Sequence, residues 1–390
     1  MEQMNNQISP TNEVIDQAAQ QRAKTLGRVF AKLTLLGLEV RPHQAISVGP
    51  IVTAYRFIPY GRTKFSQLES LGHDIAITLG VEDVFIKRLP GESAVAFFVP
   101  NPQRTEINFK ETVSNVWQAY AATNNPPKVP LNFGVDYLGR PFVEDLASLP
   151  HLLIAGSTGA GKSTLLASII TSLVYCCQPT NIQLVMSDTK QVEFQRFVGV
   201  PHLLYPPAGM VLETMKQMDY LTEELEDRLL KFNKAKVQNI HSYRNLDHKM
   251  PFIVFIIDEL ADLMQDRTKE EDDNGKRKGP TRGRQCEDKL SYLVQKGRAT
   301  GIYVIAATQR PSVDVVTGTI KANFPARMAL KLPSGADSKT ILDTVGAEHL
   351  LTPGDMLYIS PTRPGITRLH APYTNNEDID AAVQMAVQKG

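Results

Sequence analysis

Residues 156–163 read Gly-Ser-Thr-Gly-Ala-Gly-Lys-Ser, and Thr164 follows. The short apolar run HLLIA (151–155) stands before them, and STLLASIITSLVY (163–175), apolar and long enough for a helix, continues after them. A strand, a glycine-rich turn and a helix in that order satisfy the pattern GxxxxGK[ST] in its required setting, and few local patterns constrain a fold as tightly. Glycines let the backbone wrap closely with no Cβ in the way, so that successive amides converge on an anion. A helix starting at Lys162 aims the positive end of its dipole at the same point. Gly156, Ser157, Thr158, Gly159, Ala160, Gly161, Lys162, Ser163 and Thr164 are therefore expected to hold the phosphates of ATP. Lys162 is expected to bridge the β- and γ-phosphates, and Ser163 to ligate Mg2+.

A second run, Phe252–Ile257, is six apolar residues ending in Asp258-Glu259. A buried strand of this kind delivers its last carboxylates to the edge where open α/β sheets bind ligands. Asp258 is expected to hold Mg2+ through water, and Glu259 to polarise the water that attacks phosphorus. A third run, Ile302–Ala307, ends in Thr308-Gln309-Arg310-Pro311. Gln309 is the candidate sensor of the γ-phosphate, since a polar residue at a neighbouring strand tip reaches the same place. Lys296-Gly297-Arg298 closes a helix before Gly301. Arg298 there either complements the helix dipole or reaches a neighbouring subunit's nucleotide as an arginine finger.

From residue 151 onward, apolar strands alternate with longer helices: His151–Ala155, Ile182–Ser187, Phe252–Ile257, Ile302–Ala307, Ala326–Leu332 and Met356–Ile359 read as strands. Several show no alternation of polar and apolar residues, as parallel strands covered on both faces require. The expectation is an α/β fold whose motor domain, residues 141–375, is built on a mainly parallel, doubly wound sheet. Before it, residues 1–37 read as a polar tail (1–12, expected to be disordered) and a helix. Residues 38–123 read as a small α/β subdomain with strands Ala45–Phe57, Val84–Lys87 and Ser93–Val99 around a helix Phe65–Leu79. The Asn/Pro-rich stretch within 124–140 reads as a linker, residues 265–289 as a flexible charged insertion, and residues 376–390 as a C-terminal helix.

A formal net charge of +1 argues against a globally basic surface, so contact with a polyanion has to come from local patches. The three cysteines (Cys176, Cys177, Cys286) form no CxxC pair, which argues against zinc. They suit a reducing, cytoplasmic setting. The N-terminus lacks the pattern of a signal peptide, and no apolar run is long enough to span a bilayer.

The blocks PHLLIAGSTGAGKS, PHLLYP, IIDELADLM, KGRATGIYVIAATQRPSVDVVTGTIKANFPAR and ILDTVGAEHLLTPGDMLY, in this order, resemble the FtsK/SpoIIIE family of double-stranded DNA translocases. The resemblance runs from about residue 40 to about 372 and includes that family's small α subdomain. It implies a RecA-like P-loop NTPase motor, a homo-oligomeric, hexameric ring, and double-stranded DNA in its pore. By the same resemblance Arg298 is the trans-acting arginine, while Arg310 and Lys321 lie in loops that touch the DNA backbone. Gripping phosphate without reading bases is work that Arg and Lys do. The chain departs from the family's pattern at Pro333-Ser334-Gly335, where a basic residue is usual, and at Asp188-Thr189-Lys190, in place of Asp-Pro-Lys. No counterpart of the membrane-spanning region or the C-terminal winged helix of cell-division members stands between residues 1 and 390. The expectation is thus a soluble motor of a plasmid, phage or other mobile element. Two other readings stay open: a conjugative or packaging coupling ATPase, and a nucleotide-dependent DNA-binding scaffold that does not translocate.

Overall fold

The computed structural model describes residues 12–43, 45–89, 91–121, 127–271 and 277–389. The tail expected to be disordered lies almost wholly outside them, as do 124–126 of the expected linker and 272–276 of the expected insertion. The chain forms two compact units, residues 1–104 and 105–390.

In the first unit, helix α1 (Asn12–Leu35) precedes strands β1 (Val40–Pro42), β2 (Ser47–Val48) and β3 (Val52–Pro59). Helices α2 (Phe65–Glu69) and α3 (Gly72–Leu79) lead to β4 (Phe85–Arg88) and β5 (Val95–Pro100). The sheet is antiparallel in the order β1-β3-β5-β4, with β2 paired to β3. Leu26, Val29 and Leu33 repeat at helical spacing on α1 and join Tyr55, Phe57, Phe97 and Val99 in one core. Two expected elements are each divided here. Gly49-Pro50 separates β2 from β3, and the expected helix 65–79 breaks at Ser70-Leu71.

The second unit begins with α4 (Phe109–Ala121), β6 (Pro130–Asp136), β7 (Pro141–Asp145) and β8 (His151–Ala155). There follow α5 (Lys162–Cys176), β9 (Ile182–Ser187), α6 (Val211–Ala235), α7 (Ile240–Arg244), β10 (Phe252–Ile257) and α8 (Leu260–Met264). A short ribbon of β11 (Glu270–Glu271) and β12 (Arg277–Lys278) precedes α9 (Arg282–Thr300), β13 (Ile302–Thr308) and α10 (Gly318–Asn323). The unit closes with β14 (Ala326–Leu330), α11 (Gly335–Leu342), β15 (Asp355–Ser360), β16 (Arg363–His370) and α12 (Asn376–Lys389).

Its nine-stranded sheet runs β7-β6-β16-β15-β14-β8-β13-β10-β9. The stretch β14-β8-β13-β10-β9 is parallel; β15, β16, β6 and β7 extend it antiparallel. β10 is buried along its whole length. Phe252, Val254 and Ile256 pack with Leu165, Ile169 and Leu173 of α5 on one face, and their neighbours Ile253, Phe255 and Ile257 are buried outside that cluster. Both faces are therefore covered, which is why the parallel strands carry no polar alternation. α5 packs against β6 and α12, and α9 against β13 and α6.

Two expected boundaries move. The segment expected as a linker carries β6, a fully buried strand. Its Gly134 adopts φ +84°, where a Cβ would stand 2.1 Å from the carbonyl oxygen of His370. The prolines of the stretch before it mask the strand, and the chain turns into the sheet at Pro130. The last residues of the expected insertion, 282–289, are the opening turns of α9. Thr281 Oγ1 caps them by accepting from the Arg284 amide. Only Gly283 and Cys286 of these residues are buried, while Arg284 pairs with Glu287 and Asp288 on the surface, so the charged composition hides a helix. Among the described residues no helix is long and apolar enough to cross a membrane.

Candidate nucleotide-binding site

Three neighbouring parallel strands, β8, β13 and β10, end at the same edge of the sheet. Their chain continuations are the glycine-rich loop, Gln309-Arg310 and Asp258-Glu259. The sheet order thus sets β13 between the phosphate loop and the acidic pair, bringing together residues about 50 and 150 positions apart in sequence.

The loop is tied at its base. The Gly156 amide donates to the Thr308 carbonyl (3.2 Å), and the Ser157 amide and hydroxyl both donate to the Lys331 carbonyl (3.0 and 2.9 Å). Gly159 and Gly161 adopt φ +78° and +100°. At Gly161 a Cβ would stand 2.9 Å from the Gly354 amide nitrogen, so only glycine fits there. α5 begins with no side chain capping its first turn, which leaves the leading amides open to an anion. This narrow cradle, walled by a second glycine and headed by an uncapped helix, suits a polyphosphate.

Lys162 is buried, and its Nζ donates to Asp258 Oδ1 (2.7 Å) and to the Asp258 carbonyl (2.6 Å). Both side chains are only 2% exposed, so the pair is sealed from solvent. The Ser163 hydroxyl donates to Glu193 Oε1 (2.7 Å). Glu259, 4% exposed, accepts from the Thr308 hydroxyl (2.7 Å), from the Gln309 amide (3.1 and 3.3 Å to its two oxygens) and from Lys190 Nζ (3.2 Å). Burial works against the charge on Lys190, but the hydrogen bond to Glu259 and the charges of Glu259, Asp258 and Asp262 outweigh it and raise its pKa. Gln309 Oε1 accepts from the Thr158 hydroxyl (3.0 Å), which holds the glutamine against the loop. Thr164 is half-buried beside Ser163.

Three expected residues lie away from this cluster. Arg298 is exposed in the last turn of α9, just before β13 starts, at the opposite edge of the sheet. β13 is 7 residues long, so at 3.3 Å per residue the two edges are about 20 Å apart. Arg310 is exposed, with Nη1 3.3 Å from Gln265 Oε1. Its amide donates to the Thr308 hydroxyl (3.0 Å), the same hydroxyl that donates to Glu259. Lys321 is turned inward: Nζ meets Asp343 Oδ1 (2.7 Å) and the Lys339 carbonyl (3.2 Å), and Arg327 shares the carboxylate (2.9 Å).

Sequence reasoning assigns no role to Thr308, Lys190 or Glu193. Thr308 adjoins Gln309 at the strand tip, and Lys190 closes the Asp-Thr-Lys segment, so position offered a signal for both. Glu193 carries none, because its partner Ser163 is thirty residues away on another element.

Comparison with known proteins agrees with this geometry. The FtsK/SpoIIIE family matches over residues 112–313 and the FtsK alpha domain over 3–101. DNA translocase FtsK of Helicobacter pylori is 38% identical over 341 residues, 86% of this chain and 38% of its own length. DNA translocase FtsK of Sporosarcina ureae is 36% identical over 95% of this chain and 46% of its own length, and that of Staphylococcus aureus 34% identical over 98% and 48%. The chain thus spans less than half the length of these curated relatives. Among solved structures, the pCW3 conjugation coupling protein TcpA, in its monomer form with ATPγS, superposes with TM-score 0.61 at 20% identity, over 93% of this chain and 99% of that one. The cytoplasmic domain of the Thermomonospora curvata Type VII secretion ATPase EccC gives TM-score 0.58 at 18% identity, over 72% and 34%. At such identities the likeness is one of fold. Matched by the family over more than half of its length, and carrying a glycine-rich loop and an acidic pair on strand ends with β13 between them, the chain belongs to the FtsK/SpoIIIE family of P-loop ATPases.

Proposed function

We propose that this chain is an ATP-driven, sequence-indifferent translocase of double-stranded DNA that works as a homo-oligomeric ring, most simply a hexamer. The observation that carries the reading is the convergence of Lys162, Asp258, Glu259 and Gln309 at one sheet edge, with Arg298 at the other. Curated relatives named as DNA translocases support the DNA substrate.

The amides of 156–163 and Lys162 Nζ would hold the triphosphate, and Ser163 and Asp258 would hold Mg2+. Bound there, Mg2+ would neutralise charge on the phosphate oxygens. With Lys162 on phosphate oxygens, Asp258 would be free to hold Mg2+ through water. Glu259 takes a proton from the attacking water, and its orientation is set by Thr308 and the Gln309 amide. Gln309 exchanges Thr158 for the γ-phosphate or its water. Arg298 cannot serve its own subunit's site across the sheet, so it acts on a neighbour's nucleotide. Arg310, exposed at the surface, grips DNA phosphates once it leaves Gln265. Lys321 does so once it leaves Asp343.

ATP hydrolysis measured with and without long duplex DNA, together with mass photometry and triplex displacement on linear duplex, tests the proposal. Duplex-stimulated turnover, a ring-sized species and displaced third strand are expected. Hydrolysis indifferent to duplex overturns the translocase reading, and DNA binding without displacement favours a scaffold.

A further inference from the structure

The Ser163–Glu193 contact points to a metal-positioning carboxylate, an inference that rests on the proposed Mg2+ role of Ser163. A serine hydroxyl has one proton and two lone pairs. If its oxygen is to ligate a metal, the proton has to be given to an acceptor on the other side. Glu193 Oε1, 2.7 Å away, is that acceptor.

The carboxylate is held in place from its backbone. The amides of Glu193 and Phe194 both donate to Asp188 Oδ2 (2.8 and 3.0 Å), and Asp188 is 1% exposed at the end of β9. Phe194 and Phe197 are buried in the core on either side of the 3-10 turn, which fixes the segment. Charge balance points the same way. Lys162 is taken by Asp258 and Lys190 by Glu259. Among the described residues Glu193 has its hydrogen bond to Ser163 and no ion pair with a lysine or arginine. Asp188 behind it has no ion pair among the described residues either, so this side of the mouth carries negative charge that no protein cation offsets, which suits a bound cation.

We infer that Glu193 is a positioning residue for Mg2+ binding: it accepts the hydrogen bond of the Ser163 hydroxyl, which would turn the oxygen's lone pairs toward the metal and make it a better ligand. Carboxylates one bond behind a ligand act in this way, and losing one weakens metal binding by about 10–100-fold.

The test is the affinity of the full chain for a fluorescent, non-hydrolysable ATP analogue across a series of free Mg2+ concentrations, with EDTA as the zero point. Glu193→Ala is expected to raise the Mg2+ midpoint about 10–100-fold with binding in EDTA unchanged. Glu193→Gln keeps an acceptor oxygen and loses the charge, so it should fall between. In a Ser163→Ala background, Glu193→Ala should add almost nothing, since the two act as one unit. A midpoint shifted by Ser163→Ala but not by Glu193→Ala overturns the Glu193 assignment alone. Fully additive effects, or loss of binding in EDTA, also overturn it, because they mark a structural role. A midpoint unmoved by Ser163→Ala removes the metal role of Ser163 itself, and the inference falls with it.

Discussion

Lys162 and Asp258 form a buried ion pair, with Nζ 2.7 Å from Oδ1. Removing one partner of such a pair leaves an uncompensated buried charge, which typically costs about 3–5 kcal/mol. Asp258→Ala is therefore expected to destabilise the nucleotide-free protein by about 3 kcal/mol in urea unfolding, with part of the loss recovered at saturating ATP, whose phosphates also pair the ammonium. An equal loss with and without ATP would contradict this account. Glu259→Ala should bind ATP normally and lose about 10²–10⁴-fold in turnover. Fluorescent nucleotide binding beside steady-state hydrolysis checks both halves, and wild-type turnover would assign the general base elsewhere. Lys162, Asp258 and Glu259 were legible because each sits at a fixed offset from a strand or turn signal. Glu193 was not, because its partner Ser163 lies on another element and only the fold brings the two together.

The strands that were easiest to read are those buried on both faces, such as β8, β10 and β13. β16 was missed because Pro364 and Gly365 punctuate it and its first half is exposed, and β6 because a proline-rich stretch leads into it. Burial also brings a titratable group into the joint between β8, α9 and β13. His151, 0% exposed, donates from Nε2 to the Val294 carbonyl (2.9 Å) and accepts at Nδ1 from the Val304 amide (3.0 Å). Burial lowers its pKa from 6.5 to about 4, although the Val294 carbonyl opposes that. The unfolded chain therefore binds the proton first. The stability due to neutral His151 is complete above about pH 6.5 and falls as pH drops toward 4, at about 1.4 kcal/mol per unit at most. Thermal melts from pH 7.5 to 4.5 should show a loss that is shallower in His151→Gln, a variant that starts less stable. Equal slopes would mean that other groups carry the acid sensitivity.

For the molecule as a whole, the distance between Arg298 and its own phosphate loop matters most. Arg298→Ala and Lys162→Ala should each be inactive as pure proteins. Mixed one to one, about a quarter of the interfaces would combine an intact loop with an intact arginine, and hydrolysis should partly return. No recovery at any ratio would exclude a trans role. The chain divides into its two compact units after Arg104, ahead of the Asn/Pro-rich stretch that reads as a linker in the sequence. The sealed contact between Lys162 and Asp258 has a further kinetic meaning. In the proposed cycle the aspartate would compete with ADP and phosphate for the same ammonium, so departure of products would be an exchange of anions that leaves no bare cation behind. Under the proposed function, a site between turnovers would then be a rest point with its charges matched.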